Sequence, residues 1–350
     1  MELALLLEKM NLSAPSNPRK MFCAFDAMQG IVRNISDKLA LVGFQKTKYM
    51  DFNLYIDLPN TYYAELDLPV KLNFPDIQPI RNNNGLIYLK ALNVPCSNLE
   101  LLSVDGFVRN DCVQHYVNSK LNDIIATAPY GWSMEFIHGR HYYHTIEAKS
   151  ELITVYINIV PVFEFENKQW PLPEPSVPLS VRSKHPWFAV PWQSSVNQDH
   201  RAFTVYAPFW LTQTLEQYPN SIQFLNLLMS CHAKRFKDFP SFSIYMLKSF
   251  VLQHVFKNGD VGHDQLIHLM PELMARLNNG RLESILIKDH NMMECMSFED
   301  LQKCLATLKD LHTEAPYDSH EFWDNLLERV PAAAWFSKYI SLYSYSNQLV

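Results

Sequence analysis

Glycine is scarce in this chain, with 9 in 350 residues, and no two stand in a G-x-G arrangement. Each of the familiar phosphate-cradling loops needs closely spaced glycines to bring backbone N–H groups against a phosphate. The dinucleotide fingerprint, the glycine-rich kinase loop and the Walker loop are therefore all excluded. There is no G-x-S-x-G nucleophile elbow either, so a nucleotide-handling function would need another scaffold. Charge is also sparse, at 19% against 48% hydrophobic residues, which is a globular rather than a disordered composition. Long apolar runs are missing. Leu3 to Leu7 is cut off by Glu8 and Lys9, so neither a membrane span nor a signal peptide is expected. Six cysteines are scattered without pairing intervals, which fits free thiols in a reducing compartment and predicts an intracellular, cytoplasmic or nuclear, protein. The formal charge of −6 argues against a globally basic nucleic-acid binder and leaves room only for a local basic stripe.

What is present reads as α/β material followed by helices. Residues 1–12 predict a short amphipathic helix, and a breaker-rich stretch follows. Phe22, Phe25, Met28, Ile31, Val32, Ile35 and Leu39 then recur at three- and four-residue intervals, which predicts a long helix over 19–41 with one buried face. Phe52, Leu54, Ile56 and Leu58 alternate with polar residues, as a half-exposed strand does. Further strands are predicted at 85–92, 133–138, 141–146 and 152–165, and a helix at 113–126. On the last of these strands, alternation sets Thr154, Tyr156 and Asn158 on one face. Six prolines between Asn167 and Trp192 suggest a connection between two lobes. Beyond about Ala207 helical patterns run at 221–236, 242–256, 263–277, 297–311, 320–329 and 331–343. Ser297 with Asp300 resembles a helix N-cap.

The order of a long helix, Val42-Gly43-Phe44, Asp51-Phe52-Asn53-Leu54-Tyr55-Ile56 and, much later, Ile153 to Phe163 resembles the Mab-twenty-one family of nucleotidyltransferase-fold proteins. That family includes cyclic GMP-AMP synthase and the insect synthase-like receptors. In it a Gly-Ser turn precedes a Glu/Asp-Phe-Asp strand, and a third Asp sits in a later strand reading roughly Val-Asp-Leu-Val-Pro. Gly85 to Leu89, Trp170-Pro171, Phe242 to Lys248 and the segment from Arg281 to Met292 extend the resemblance over roughly residues 20–330. It implies an α+β, bilobal nucleotidyltransferase fold, with a mixed sheet, a long spine helix and an all-helical C-terminal lobe. The expected divisions are 1–18 for the N-terminal helix and linker, 19–192 for the core lobe and 193–350 for the helical lobe.

Nucleotidyl transfer displaces pyrophosphate at a highly anionic phosphorus, and two Mg²⁺ ions clamp the entering and leaving oxygens. Mg²⁺ demands anionic oxygen ligands in near-octahedral geometry, which two carboxylates at i and i+2 of one strand and a third on a neighbouring strand supply. The resemblance assigns these positions to Asp51, Asn53 and Asn158, so two carboxylates would be amides, and Phe44 would stand where the phosphate-holding serine belongs, after Gly43. Asn226 would replace a nucleotide-contacting lysine. Tyr245 and Lys248 match residues that stack on a base and contact phosphate. Arg19, Lys20, Arg33 and Lys38 lie on the helix that underlies double-stranded nucleic acid in related receptors. His138, His141 and His144 have no adjacent cysteines, and the zinc ribbon of the vertebrate synthase has no counterpart.

Two functional expectations follow from the resemblance. The first is a catalytically degenerate member, without a resident metal or other cofactor, that acts by binding ATP, GTP or another nucleotide, a double-stranded nucleic acid, or a protein partner through the helical lobe. The alternative is an active enzyme that uses Mg²⁺ to make a cyclic dinucleotide from ATP and GTP on sensing double-stranded RNA or DNA.

Overall fold

The structure of the protein is a computed structural model. Residues 18–47, 51–57, 61–72, 76–82, 85–92, 105–140, 143–192, 199–218, 220–222, 225, 242, 244–260, 263–288 and 290–313 are described. The helices read over 1–12, 320–329 and 331–343, Asn226, and most of the helix read over 221–236 lie outside the described residues.

Helix α1 (Pro18–Leu41) follows the expected periodicity, with Ala24, Met28, Ile31, Val32, Ile35 and Leu39 forming a buried stripe along it. Burial of each large aliphatic side chain contributes roughly 1.5–3 kcal/mol. The helix stops where Gly43 takes φ +101, a left-handed conformation that side chains disfavour. There Phe44 N–H donates to the Leu39 carbonyl and Gly43 N–H to the Ala40 carbonyl, the paired hydrogen bonds of a Schellman ending. Phe44 is buried and meets the Tyr116 ring edge-on, with centroids 5.8 Å apart. Gly43-Phe44 is thus a helix stop with its hydrophobic anchor. At the position where the resemblance expects a phosphate-holding serine, the Phe44 ring packs into the core.

Among the described residues ten strands form one sheet: β1 (Gln45–Lys46), β2 (Asp51–Asp57), β3 (Thr61–Lys71), β4 (Ile77–Arg81), β5 (Ile87–Ala91), β6 (Ser133–Arg140), β7 (Tyr143–Lys149), β8 (Ile153–Phe165), β9 (Trp187–Pro191) and β10 (Phe203–Tyr206). Strand β8 is its centre. It pairs in parallel with β3 on one side and antiparallel with β7, and then β9, on the other. Strand β2 flanks β3, and the sheet continues from β9 through β10 and β5 to β4. The stretch of six prolines is therefore not wholly a connection, because it contributes β9. Likewise β10 joins the sheet from beyond the division expected at residue 192.

Helix α2 (Asn110–Ile125) and α1 pack on one face of the sheet, over Ile153, Val155, Ile157 and Ile159 of β8. Asn110, buried at the start of α2, donates from Nδ2 to the carbonyls of Trp192 and Ala202 at 2.8 and 2.9 Å, which ties the helix to the approach to β10. The short α3 (Leu179–Arg182) precedes β9, and after β10 the described elements are mainly helical, with α4 (Pro208–Leu215), α5 (Ile244–Asn258), α6 (His263–Asn278) and α7 (Phe298–Thr313). Trp170 packs against both Trp187 of β9 and Trp210 of α4, with centroids 5.1 Å away in each case. The expected cap ahead of α7 is present, with Asp300 N–H donating to Ser297 Oγ at 3.0 Å. The protein is an α+β protein. Among the described residues no helix is long and apolar enough to cross a membrane.

Candidate functional site

The face of the sheet opposite α1 and α2 carries the polar residues of β8. The register sets Asn158 beside Asp67 of β3 and Thr145 of β7, with Asp51 of β2 beyond Asp67. One step along, Tyr156 lies beside Glu65 and Glu147, with Asn53 beyond Glu65. Because paired residues share a face, this single surface gathers all of these positions.

The expectation that the strand of Asp51 and Asn53 neighbours that of Asn158 needs correction. Strand β3 lies between them, so β2 is two strand spacings from β8, roughly 9–10 Å. The residues that meet Asn158 are Glu65 and Asp67. Asn158 Nδ2 donates to Glu65 Oε1 at 3.0 Å and to Asp67 Oδ1 at 2.9 Å, and its Oδ1 accepts from Thr145 Oγ1 at 2.8 Å. The orientation of the amide follows from chemistry. Ionised carboxylates only accept, so the NH₂ must face them, and the carbonyl must turn to the hydroxyl. Asn158 is buried, both of its N–H donors are used, and its oxygen has a partner. Asp67 Oδ2 in turn accepts from the Tyr206 hydroxyl at 3.1 Å, and Glu147 is paired with Lys149 at 2.5 Å.

This arrangement is a carboxylate pair held by uncharged protein hydrogen-bond donors. A third carboxylate at position 158 would stand about 3 Å from two others. Like charges 4 Å apart repel by about 4 kcal/mol at an effective dielectric of 20, so such a triad needs cations. The amide removes that need. Among the described residues no three His, Cys, Asp or Glu side chains are grouped to hold a metal ion.

No protein-family model matches the sequence. Over 287 residues, however, the chain is 30% identical to a cyclic GMP-AMP synthase-like protein of Drosophila melanogaster, with 80% of each protein covered. The chain belongs to the cyclic GMP-AMP synthase-like family. A cyclic GMP-AMP synthase-like receptor of Drosophila eugracilis is 27% identical over 273 residues, covering 71% of this chain and 70% of the relative. The triplet beside Asn158 is Glu65-Leu66-Asp67, a carboxylate–apolar–carboxylate pattern closer to the family's Glu/Asp-Phe-Asp than Asp51-Phe52-Asn53. That pattern was the signal available in the sequence. It is masked by Pro69 within the strand and by acidic residues that lower strand propensity.

The other expected contacts divide between burial and exposure. Tyr245 sits at the start of α5, near Ser284 with its hydroxyl 3.4 Å from Ser284 Oγ, and burial pushes its phenol up to about 12. Lys248, one turn on, is also buried. On α1, Lys38 donates to the Thr127 carbonyl just past the end of α2, where a cation complements the helix dipole, and Arg33 is exposed. Arg19 and Lys20 lie in the first turn of α1.

Proposed function

We propose that this chain has the two-lobed nucleotidyltransferase architecture, divided near residue 207, and binds a nucleotide over the β3–β8 surface without two-metal nucleotidyl transfer. In this reading Glu65, Asp67 and Asn158 hold the three metal-ligand positions, and Asp51 and Asn53 are peripheral polar residues of β2. Only one of the three ligands is then an amide. The observation that carries the reading is the pair of hydrogen bonds from Asn158 Nδ2 to Glu65 and Asp67.

Three anions balance most of the charge of two dications; two anions whose gap is bridged by an N–H donor do not. The residues present therefore do not fit a pair of resident Mg²⁺ ions. Binding would rest on neutral and basic groups, with the family's nucleotide as ligand. The relatives named as synthase-like and receptor motivate ATP and GTP as first candidates and a double-stranded nucleic acid as an upstream ligand. For the latter, Lys38 is already engaged with Thr127, so a duplex would rely on Arg33 together with Arg19 and Lys20. A cytoplasmic setting suits free thiols such as Cys304, whose burial pushes it up to about 12 and keeps it unreactive.

The test is incubation of the full chain with ATP, GTP and Mg²⁺ or Mn²⁺, with and without duplex RNA or DNA, followed by chromatography of the products. No linear or cyclic dinucleotide is expected, while ATP or GTP raises the melting temperature in proportion to ln(1 + [L]/Kd). A dinucleotide product abolished by Asp67→Ala would establish the active alternative.

A further inference from the structure

Between α6 and α7, residues 281–288 and 290–291 belong to a loop closed by its own hydrogen bonds. Glu283 and Asn291 form an isolated antiparallel bridge, Ser284 N–H donates to the His290 carbonyl at 2.9 Å, and Met292 N–H donates to the Leu282 carbonyl at 2.8 Å. The Asn291 side chain ties the two ends together, its Oδ1 accepting from Leu282 N–H at 2.9 Å and its Nδ2 donating to the Gly280 carbonyl at 2.7 Å. Nearer the tip, Ser284 Oγ accepts from the N–H groups of Leu286 and Ile287, each at 3.2 Å. A loop whose backbone groups are paired within itself keeps its shape when its outside contacts change.

The loop stands on α5, where Gln253 Nε2 donates to the Glu283 carbonyl and the Tyr245 hydroxyl lies 3.4 Å from Ser284 Oγ. Its side chains reach the sheet on either side of β10. Ile287 is buried against Gly85, ahead of β5, so closely that a Cβ on that glycine would stand 3.4 Å from Ile287 Cγ2. The buried His290 ring meets Trp192, just past β9, edge to face with centroids 5.5 Å apart. Trp192 is itself fixed, since its carbonyl accepts from Asn110 Nδ2 at 2.8 Å and its N–H donates to the Ala202 carbonyl at 3.0 Å. The contacts with the sheet are thus dispersion and ring-edge contacts, whereas the loop is closed through its backbone. We infer that this loop is a latch: a rigid unit carried on α5 that fastens the helices to the β9–β10–β5 part of the sheet through Ile287 and His290, and that releases at those side chains without unfolding itself. The inference goes beyond the proposed nucleotide site and stands without it.

The experiment uses the full-length chain carrying Ile287→Cys, whose thiol a small alkylating reagent reaches when the latch opens, with peptide mass spectrometry separating it from the native cysteines. Adding His290→Ala is expected to raise alkylation at position 287 roughly tenfold, the scale of a lost aromatic contact, while hydrogen exchange at the Ser284 and Met292 amides stays as slow as before. Should that variant not fold, Trp192→Leu carries the same expectation. Asn291→Ala, which unties the loop from within, is expected to speed both alkylation and exchange. Alkylation unchanged by loss of His290 would overturn the inference. So would loop amides that speed up together with alkylation in His290→Ala, because the loop would then be melting rather than releasing, and so would slow exchange retained in Asn291→Ala, because the loop would then not be held by its own ties.

Discussion

Asn158 and His144 lie one strand apart and behave oppositely. Asn158 is buried with every polar atom on its face matched, and replacing it with Asp puts a third anion beside Glu65 and Asp67 while losing two donated hydrogen bonds. Asn158→Asp is expected to destabilise the cation-free protein by about 2–4 kcal/mol, recovered in millimolar Mn²⁺, as measured by chemical denaturation in chelator and in Mn²⁺. His144 faces away from Asn158, stacked on Phe136 with ring centroids 6.0 Å apart, and neither ring nitrogen has a hydrogen-bond partner among the described residues. Burial lowers its pKa from 6.5 to about 4. The unfolded chain therefore takes up a proton near pH 6.5 that the folded chain refuses. The contribution is fully present above pH 6.5 and is lost as pH falls towards 4, by about 3 kcal/mol in all. His144→Phe is expected to flatten the stability profile between those values, which denaturant titrations at several pH values measure. At this scale Asn158 was legible because β8 is a long β-branched strand with a clear alternation. Glu65 and Asp67 were not, because nothing in a one-dimensional pattern says which strand lies beside which.

Elements with strong periodicity matched their sequence signals closely. The long amphipathic helix, β8, the β6–β7 pair, α6 and the capped α7 all fall within a few residues of expectation, because each buries one face and its spacing records that face. The strands that were missed have weak records. Strand β3 contains Pro69, β9 is buried throughout and reads as one apolar run among prolines, and β10 has four residues. The Gly43-Phe44 turn shows a converse ambiguity, since a glycine after a helix can precede either a phosphate loop or a helix stop. Here the carbonyls of Leu39 and Ala40 decide for the stop. Gly43→Ala is expected to cost roughly 1–2 kcal/mol, since the left-handed φ of +101 is strained for alanine whatever the space around it, and Gly43→Asn less, as thermal denaturation of the two variants tests.

For the whole molecule, the family and the α+β architecture are established by identity with relatives and by the sheet, whereas the proposed loss of two-metal chemistry rests on a cluster of five side chains. The sheet brings β2, β3, β7 and β8 into register on one surface and β10 to its flank, so Glu65, Asp67, Asn158, Thr145 and Tyr206 form one network from segments up to 141 positions apart in numbering. A network of that sequence span is specified by topology rather than by any local motif, which is why the sequence pattern singled out Asn158 but not the carboxylates beside it. The most direct test is Mn²⁺ titration of the unaltered full-length protein followed by both its melting temperature and the free-ion signal in electron paramagnetic resonance. No stoichiometric Mn²⁺ and no stabilisation at millimolar Mn²⁺ are expected; two tightly bound Mn²⁺ ions, both lost in Asp67→Ala, would contradict the proposed loss of two-metal chemistry.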